Sequence, residues 1–332
     1  MDNAADTAHI VHSEYDTVFL HDHEVEHPDM RRLYENAKRD QWNASKDIDW
    51  AQPVDLEQGF MADELIDIYD SEYWHKMNAG ERAEMNRLFS AWRLSQLMHG
   101  EHAAVLVCSQ LANVLPDADS KFFMATQVMD EARHLEFFQR YLGDRVGKIY
   151  PQSDTGTELF DFILQDPRWY IKTIGLQLVG ETFAVSLFKM LADTAKEDLL
   201  RYGCRLILRD ESRHMGFGML SLPELVQQMD EKERQEVEEF TVYFLRNTLT
   251  GGFPREAYLD MGFNNADIDN IRNLRRERAQ NSDFVLFRQL FKREMHSTLV
   301  NNLHRCGVLS ETMRLRLEEE LRVNVAEHLA ND

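Results

Sequence analysis

Apolar residues recur along most of this 332-residue chain at the three- and four-residue spacing of helix faces. Leu, Glu, Arg, Met and Ala dominate those stretches, and seven prolines and 15 glycines interrupt them rarely. The pattern predicts helices over Met30 to Lys46, Ala62 to Lys76, Gly80 to Leu115, Asp119 to Leu142, Glu158 to Gln165, Pro167 to Leu191 and Glu197 to Ser221. Further helices are predicted over Glu224 to Thr248, Pro254 to Met261, Asp267 to Ala279, Asp283 to Arg305 and Glu311 to Ala330. Asn78 is a suitable N-cap, Lys148 to Gly156 is a turn-rich linker, Leu222-Pro223 stops a helix, and Gly251-Gly252 marks a break. The implied fold class is all-α. Residues 1–28 lack the pattern and read as an extended segment, ahead of one helical domain over 29–332. Its core bundle is expected at about 80–221, with supporting helices over 224–330, and Trp42 and Trp50 are expected to pack against the bundle.

Four of these helices carry charges where the pattern calls for apolar residues. Glu101 shares a stripe with Leu97, Met98, Ala104, Val105 and Cys108, and Glu181 shares one with Ile174, Leu178, Ala184, Val185 and Phe188. Glu211 lies beside Cys204, Ile207, Leu208 and Met215. The placements repeat. Glu101 is followed by Asp130-Glu131-Ala132-Arg133-His134, and Glu181 by Asp210-Glu211-Ser212-Arg213-His214, each residue 80 positions after its counterpart. Glu101 and Glu131 stand 30 residues apart with Pro116 midway, which makes a helical hairpin. Each arm climbs roughly 21 Å between glutamate and turn, so the two carboxylates return to one height. Glu181 and Glu211 repeat this about Lys196, and His134 and His214 follow their glutamates at i+3 on the same helix face. An unpaired carboxylate in such a stripe is costly, and four need cations. Four carboxylates and two imidazoles suit a pair of first-row metals inside a four-helix bundle. One Glu-x-x-His alone would be an ordinary helix surface; the doubled pattern is not.

With its doubled Asp-Glu-x-Arg-His, the chain resembles the ferritin-like diiron-carboxylate proteins over about residues 80–220. The branch is the one holding ribonucleotide reductase small subunits, acyl-carrier-protein desaturases, arylamine N-oxygenases and bacterial multicomponent monooxygenases, and the motif pair is most similar to the last. The resemblance implies a ferritin-like four-helix bundle with peripheral helices. It implies two iron ions, or a manganese–iron pair, held by Glu101, Glu131, His134, Glu181, Glu211 and His214, with dioxygen as cosubstrate. It implies that Asp130 holds His214 and Asp210 holds His134, with Arg133 and Arg213 balancing the aspartates. Positions one turn from the ligands nominate Ala104, Cys108, Gln127, Gln177, Ala184, Phe188, Cys204 and Ile207 as a pocket for a small organic substrate.

Departures from the subfamilies matter. The radical-forming Tyr of reductase subunits falls at Phe138, and no Tyr follows Tyr258. The extra His ligand of arylamine N-oxygenases falls at Ile207, which weighs against N-oxygenation. A CxxC iron centre is missing. The expectation is a diiron oxygenase of monooxygenase type that oxidises a small organic molecule with two electrons from a ferredoxin or reductase. N-oxygenation or desaturation is the alternative within the superfamily, and a ferroxidase or radical-generating subunit the alternative outside it.

Composition narrows the partners. With 37 basic and 58 acidic residues the net charge is −21, which disfavours nucleic acid. No apolar run of roughly 20 residues suggests a membrane span. The acidic start lacks a signal pattern, and Cys108, Cys204 and Cys306 are isolated and odd in number, so a reduced, cytoplasmic protein is expected, as a homodimer. Five of 13 histidines (His9, His12, His21, His23, His27) lie in the lead-in, where a solvated polar segment outweighs an accessory metal site.

Overall fold

The structure is a computed structural model and describes residues 8–250, 252–280 and 286–321. Its helices in chain order are α1 (Pro28–Arg39), α2 (Glu72–Lys76), α3 (Ala79–Val114), α4 (Ala118–Tyr141), α5 (Asp154–Gln165), α6 (Trp169–Lys172), α7 (Glu181–Thr194) and α8 (Asp198–Ser221). They continue as α9 (Pro223–Gln228), α10 (Glu231–Thr250), α11 (Arg255–Asp260), α12 (Asn265–Gln280), α13 (Leu286–Arg305) and α14 (Glu311–Glu320). No strand occurs among the described residues. Two hairpins, α3 with α4 and α7 with α8, form the ferritin-like bundle. Helix α1 packs across α4 and α8, α13 against α7, and α11 against α3.

The long helices begin at side-chain caps. Asn78 and Glu81 form a reciprocal capping box on α3, Asp117 accepts the Ser120 N–H of α4, and Glu197 accepts the Leu200 N–H of α8. Between α6 and α7 the helix is π-helical over Thr173–Gly180, so Glu181 is the first residue after the wide turns. Each residue inserted this way rotates the remainder of the helix by about 100°, which re-aims Glu181. The helix predicted over Pro167 to Leu191 gives no sign of it, because π and α turns share one apolar composition. Together these segments, Trp169–Thr194, are long and apolar enough by composition to cross a membrane, although Lys172, Glu181 and Lys189 interrupt the apolar run. They form the central strut of the bundle, and 61% of the most apolar window is buried within it.

Other differences have local causes. Helix α1 stops at Arg39 rather than Lys46, because Asn43 and Asp47 fold their side chains onto the Ser45 and Asn43 N–H groups and make a turn. The helix predicted over Ala62 to Lys76 reduces to a 3-10 turn at Asp63–Leu65 and the short α2, divided by Asp70 at φ +54° and the Ser71 cap. Helix α4 runs on through a π turn, Leu142–Val146, to Gly147 at φ +73°. Helix α5 starts four residues early at the Ser153 cap, and Asp230 and Glu233 cap each other, splitting Glu224 to Thr248 into α9 and α10. The predicted ends at 283–285 and 322–330 fall outside the described residues. The lead-in lies along the bundle: Val18 N–H donates to the Asn113 carbonyl, Ser13 to that of Leu164, and His9 meets Asp161 at 2.8 Å.

Candidate metal centre

The four bundle helices bury their acidic residues at mid-height between two apolar clusters. One cluster includes Phe137, Phe138, Phe188, Cys204 and Ile207; the other includes Ala104, Cys108, Phe123, Met124 and Phe217. Glu101 from α3, Glu131 and His134 from α4, Glu181 from α7, and Glu211 and His214 from α8 all meet there, buried. They fall into two groups, each with its donor atoms within 4.8 Å of one another: Glu101, Glu131, His134 and Glu211, and then Glu131, Glu181, Glu211 and His214. Glu131 and Glu211 belong to both. The other members divide as one glutamate and one histidine each. His134 Nδ1 lies 3.1–3.3 Å from Glu101, Glu131 and Glu211, and His214 Nδ1 lies 3.1 Å from Glu131 and Glu211. The two ring centroids are 6.1 Å apart.

Behind each imidazole stands the aspartate of the opposite motif. His134 Nε2 lies 3.1 Å from Asp210, and His214 Nε2 lies 3.2 Å from Asp130. A carboxylate only accepts, so each Nε2 carries a hydrogen and each Nδ1 faces the centre. The arginines close a ring. Arg133 Nη2 reaches Asp130 and, at 3.2 Å, Asp210; Arg213 Nη2 reaches Asp210 and, at 3.3 Å, Asp130. All four side chains are buried, so α4 and α8 are cross-linked by two paired charges of each sign.

Sequence reasoning missed one member of this network. The Trp42 indole N–H donates to Asp210 at 2.7 Å, its ring stacks on His134 at 6.2 Å, and Arg133 lies over its face. The sequence predicts only packing for this residue. Nothing local marks its bond, because partner and donor are 168 positions apart. Asp130 has no indole donor. Near His214 stands Phe123, edge-on at 6.4 Å and stacked on Phe217.

The nominated pocket residues divide between the two ends of the centre rather than lining one chamber. Ala104, Cys108, Gln127 and Gln177 lie toward Glu181 and His214: Gln127 Nε2 donates to Glu131 at 2.9 Å and Glu181 at 2.8 Å, and Gln177 Nε2 lies 3.6 Å from Cys108 Sγ. Phe188, Cys204 and Ile207 lie in the opposite cluster, against which half-buried Ala184 packs. The split comes from the repeat, since equivalent positions of two antiparallel hairpins face opposite ends. The five lead-in histidines join no donor cluster among the described residues.

The electrostatics fit a divalent pair. Burial, then the neighbouring carboxylates, hold Glu181 well above the ordinary glutamate range, and burial does the same to Glu101. Burial also opposes charge on Glu131, but His214 and His134 overcome it and hold Glu131 well below. Both histidines are raised well above an ordinary imidazole: burial works against them, yet Asp210 and three glutamates favour the charged His134, and Glu131, Glu211 and Asp130 the charged His214. Protons thus share the charge that two cations would neutralise. The donor set, hard carboxylates with two imidazoles, suits iron or manganese.

Solved structures of similar fold include an R2-like ligand-binding oxidase with aerobically reconstituted metal cofactor after photoconversion. It is 21% identical, with 86% of this chain and 94% of that one aligned and a TM-score of 0.52. A variant of such an oxidase with aerobically reconstituted Mn/Fe cofactor is 20% identical, with 88% and 99% aligned and a TM-score of 0.54. At this identity the likeness speaks for the fold. No curated protein matches the chain. A family profile does: the one described as P-aminobenzoate N-oxygenase AurF matches residues 24–297, from the lead-in through both motif pairs and into α13. By that match over most of its length the chain belongs to the AurF-type N-oxygenase family of ferritin-like diiron oxidoreductases.

Proposed function

We propose that this protein is a dioxygen-activating diiron oxygenase that inserts one oxygen atom into an N–H bond of a small organic amine. The convergence of six buried donors into two groups sharing Glu131 and Glu211 carries the reading. One metal would be held by Glu101 and His134, the other by Glu181 and His214, with Glu131 and Glu211 between them. When bound, such a pair supplies the reductive activation of dioxygen. For each amine converted to a hydroxylamine, one oxygen atom enters the N–H bond. The other leaves as water, with two protons and two electrons from an external ferredoxin or reductase. The chain's own residues do the rest. Asp130 and Asp210 fix the imidazole tautomers, Arg133 and Arg213 pair with the aspartates and hold them in place, and the two apolar clusters keep bulk water from the reacting groups.

Family membership favours N–H over C–H insertion, although Ile207 occupies the position of the further histidine and sits in apolar packing. A radical-generating role fits less well, because Phe138 is buried against Phe188, ring centroids 5.9 Å apart, where a phenol would be needed. Two measurements test the reading. Metal analysis should find about one ion per chain in Glu101→Ala and fewer in Glu131→Ala, since Glu131 serves both groups. Fe(II)-loaded protein given a chemical reductant, isotopically labelled dioxygen and p-aminobenzoate or aniline should yield a product carrying one labelled oxygen on nitrogen. Labelled oxygen on carbon would move the reading to hydroxylation. Consumption of Fe(II) to ferric mineral with no organic product would replace it with a ferroxidase.

A further inference from the structure

The 80-residue repeat maps every proposed ligand onto a ligand, but it does not map their neighbours. Gln127 corresponds to Ile207, Gln177 to Leu97 and Cys108 to Phe188. The end beside Glu181 and His214 is therefore polar where its counterpart is apolar. Two atoms at that end are left unanswered: the side-chain carbonyl oxygens of Gln127 and Gln177, both fully buried and both without a hydrogen-bond partner among the described residues. The Gln127 nitrogen donates to Glu131 and Glu181, which would accept only once they held metal, so the amide keeps this orientation in a loaded centre. Its oxygen must face away from them. Gln177 lies four residues before Glu181, one turn along the same strut, with its nitrogen toward Cys108. Buried acceptors left without donors are costly and rare, and a pair beside one ligand calls for a donor that is not part of the chain.

We infer that Gln127 and Gln177 recognise the substrate: their carbonyls accept the two N–H bonds of a neutral primary aromatic amine, which makes the Glu181–His214 end the substrate-binding end of the centre. This rests on the small-amine reading and adds to it the residues and the side. A neutral aromatic amine offers two donors on an otherwise apolar body, matching two acceptors beside Cys108, Phe123 and Phe217. An alkylammonium would bring a full charge among the same buried side chains at a large desolvation cost. A phenol offers one donor, and a hydrocarbon none.

The test is anaerobic calorimetric binding of aniline, phenol and toluene to the Fe(II)-loaded protein and to Gln177→Met, which keeps the side-chain length and loses the acceptor. The Gln177 amide meets Cys108 and none of the proposed ligands, so metal content serves as the control and should be unchanged. The wild-type order should be aniline, then phenol, then toluene. Gln177→Met should weaken aniline roughly tenfold and leave toluene as it was. Equal affinity for aniline and toluene would mean that buried waters answer the carbonyls, and sinks the inference; so does undetectable aniline binding, or an equal loss for all three probes. Adding dioxygen afterwards separates the two claims. Aniline held through Gln177 but not oxidised leaves recognition standing and removes N-oxygenation. Aniline oxidised with unaltered affinity in Gln177→Met does the reverse.

Discussion

Asp210 takes hydrogen bonds from His134, Trp42 and both arginines, while Asp130 takes them from His214 and the arginines alone. The two motifs therefore match at their four charged or ligating positions and are unequal in support. Asp210 is held well below the usual carboxylate range: burial opposes its charge, and His134 and Arg213 overcome that. Replacing it by Asn keeps the shape and removes the acceptor that fixes the His134 tautomer. Asp210→Asn should retain most of the bound metal and lose about 10–100-fold in turnover. Metal analysis beside a steady-state rate checks this, and loss of both ions would show that the aspartate builds the site rather than tuning it. Trp42→Phe should fall on the same side with a smaller effect, since the arginines still satisfy Asp210.

At the scale of elements, the bundle depends on two close approaches that side-chain patterns do not announce. The first is between α8 and the π-helical segment, where a Cβ on Gly218 would stand 2.8 Å from the backbone oxygen of Gln177. Backbone cannot swing aside as a side chain can. Gly218→Ala should push the segment that aims Glu181, lower stability by about 1–3 kcal/mol and weaken metal binding, read by denaturant titration and metal analysis of one preparation. The second is Lys172, which is buried and donates its ammonium to the Ile163 and Leu164 carbonyls in the last turn of α5. Burial pulls its pKa from 10.5 down to about 8. Below pH 8 both folded and unfolded chains hold the proton, and stability does not respond to this group. Between pH 8 and 10.5 only the unfolded chain keeps it, so the lysine's contribution grows as pH rises. The stability difference between wild type and Lys172→Met, from urea titrations at about pH 7.5 and about pH 10, should therefore widen toward alkaline pH; a constant difference would mean the amine stays charged in the fold.

At the scale of the molecule, the bundle was legible because one periodicity and one repeat say the same thing. Glu101, Glu131, Glu181 and Glu211 interrupt apolar stripes at heights that hairpin arithmetic makes equal, and facing the two hairpins buries all four together. The illegible parts depend on contacts between distant positions. Trp42 reaches Asp210 across a loop whose sequence shows only an aromatic, and the π turns before Glu181 leave no compositional trace. The pocket residues divided between two ends because the pattern gives a helix face and not the end of the bundle to which that face belongs. The same four-helix convergence sets the last expectation. The four acidic groups gathered from α3, α4, α7 and α8 cannot all ionise in the buried centre until cations join them, so metal should act as a cross-link on the whole bundle. An ion that binds only the folded chain adds about 2.7 kcal/mol at a hundredfold excess over its dissociation constant. For a chain of this size that is a rise of about 4–6 °C in the unfolding midpoint. Mn(II), which avoids oxygen chemistry, should produce that rise in the wild type by scanning calorimetry. Glu101→Ala, which spares one donor group, should keep part of it, and Glu131→Ala, which breaks both, almost none. If the wild type melts at the same temperature with and without Mn(II), the acidic centre holds protons and not metals, and the oxygenase reading loses its cofactor.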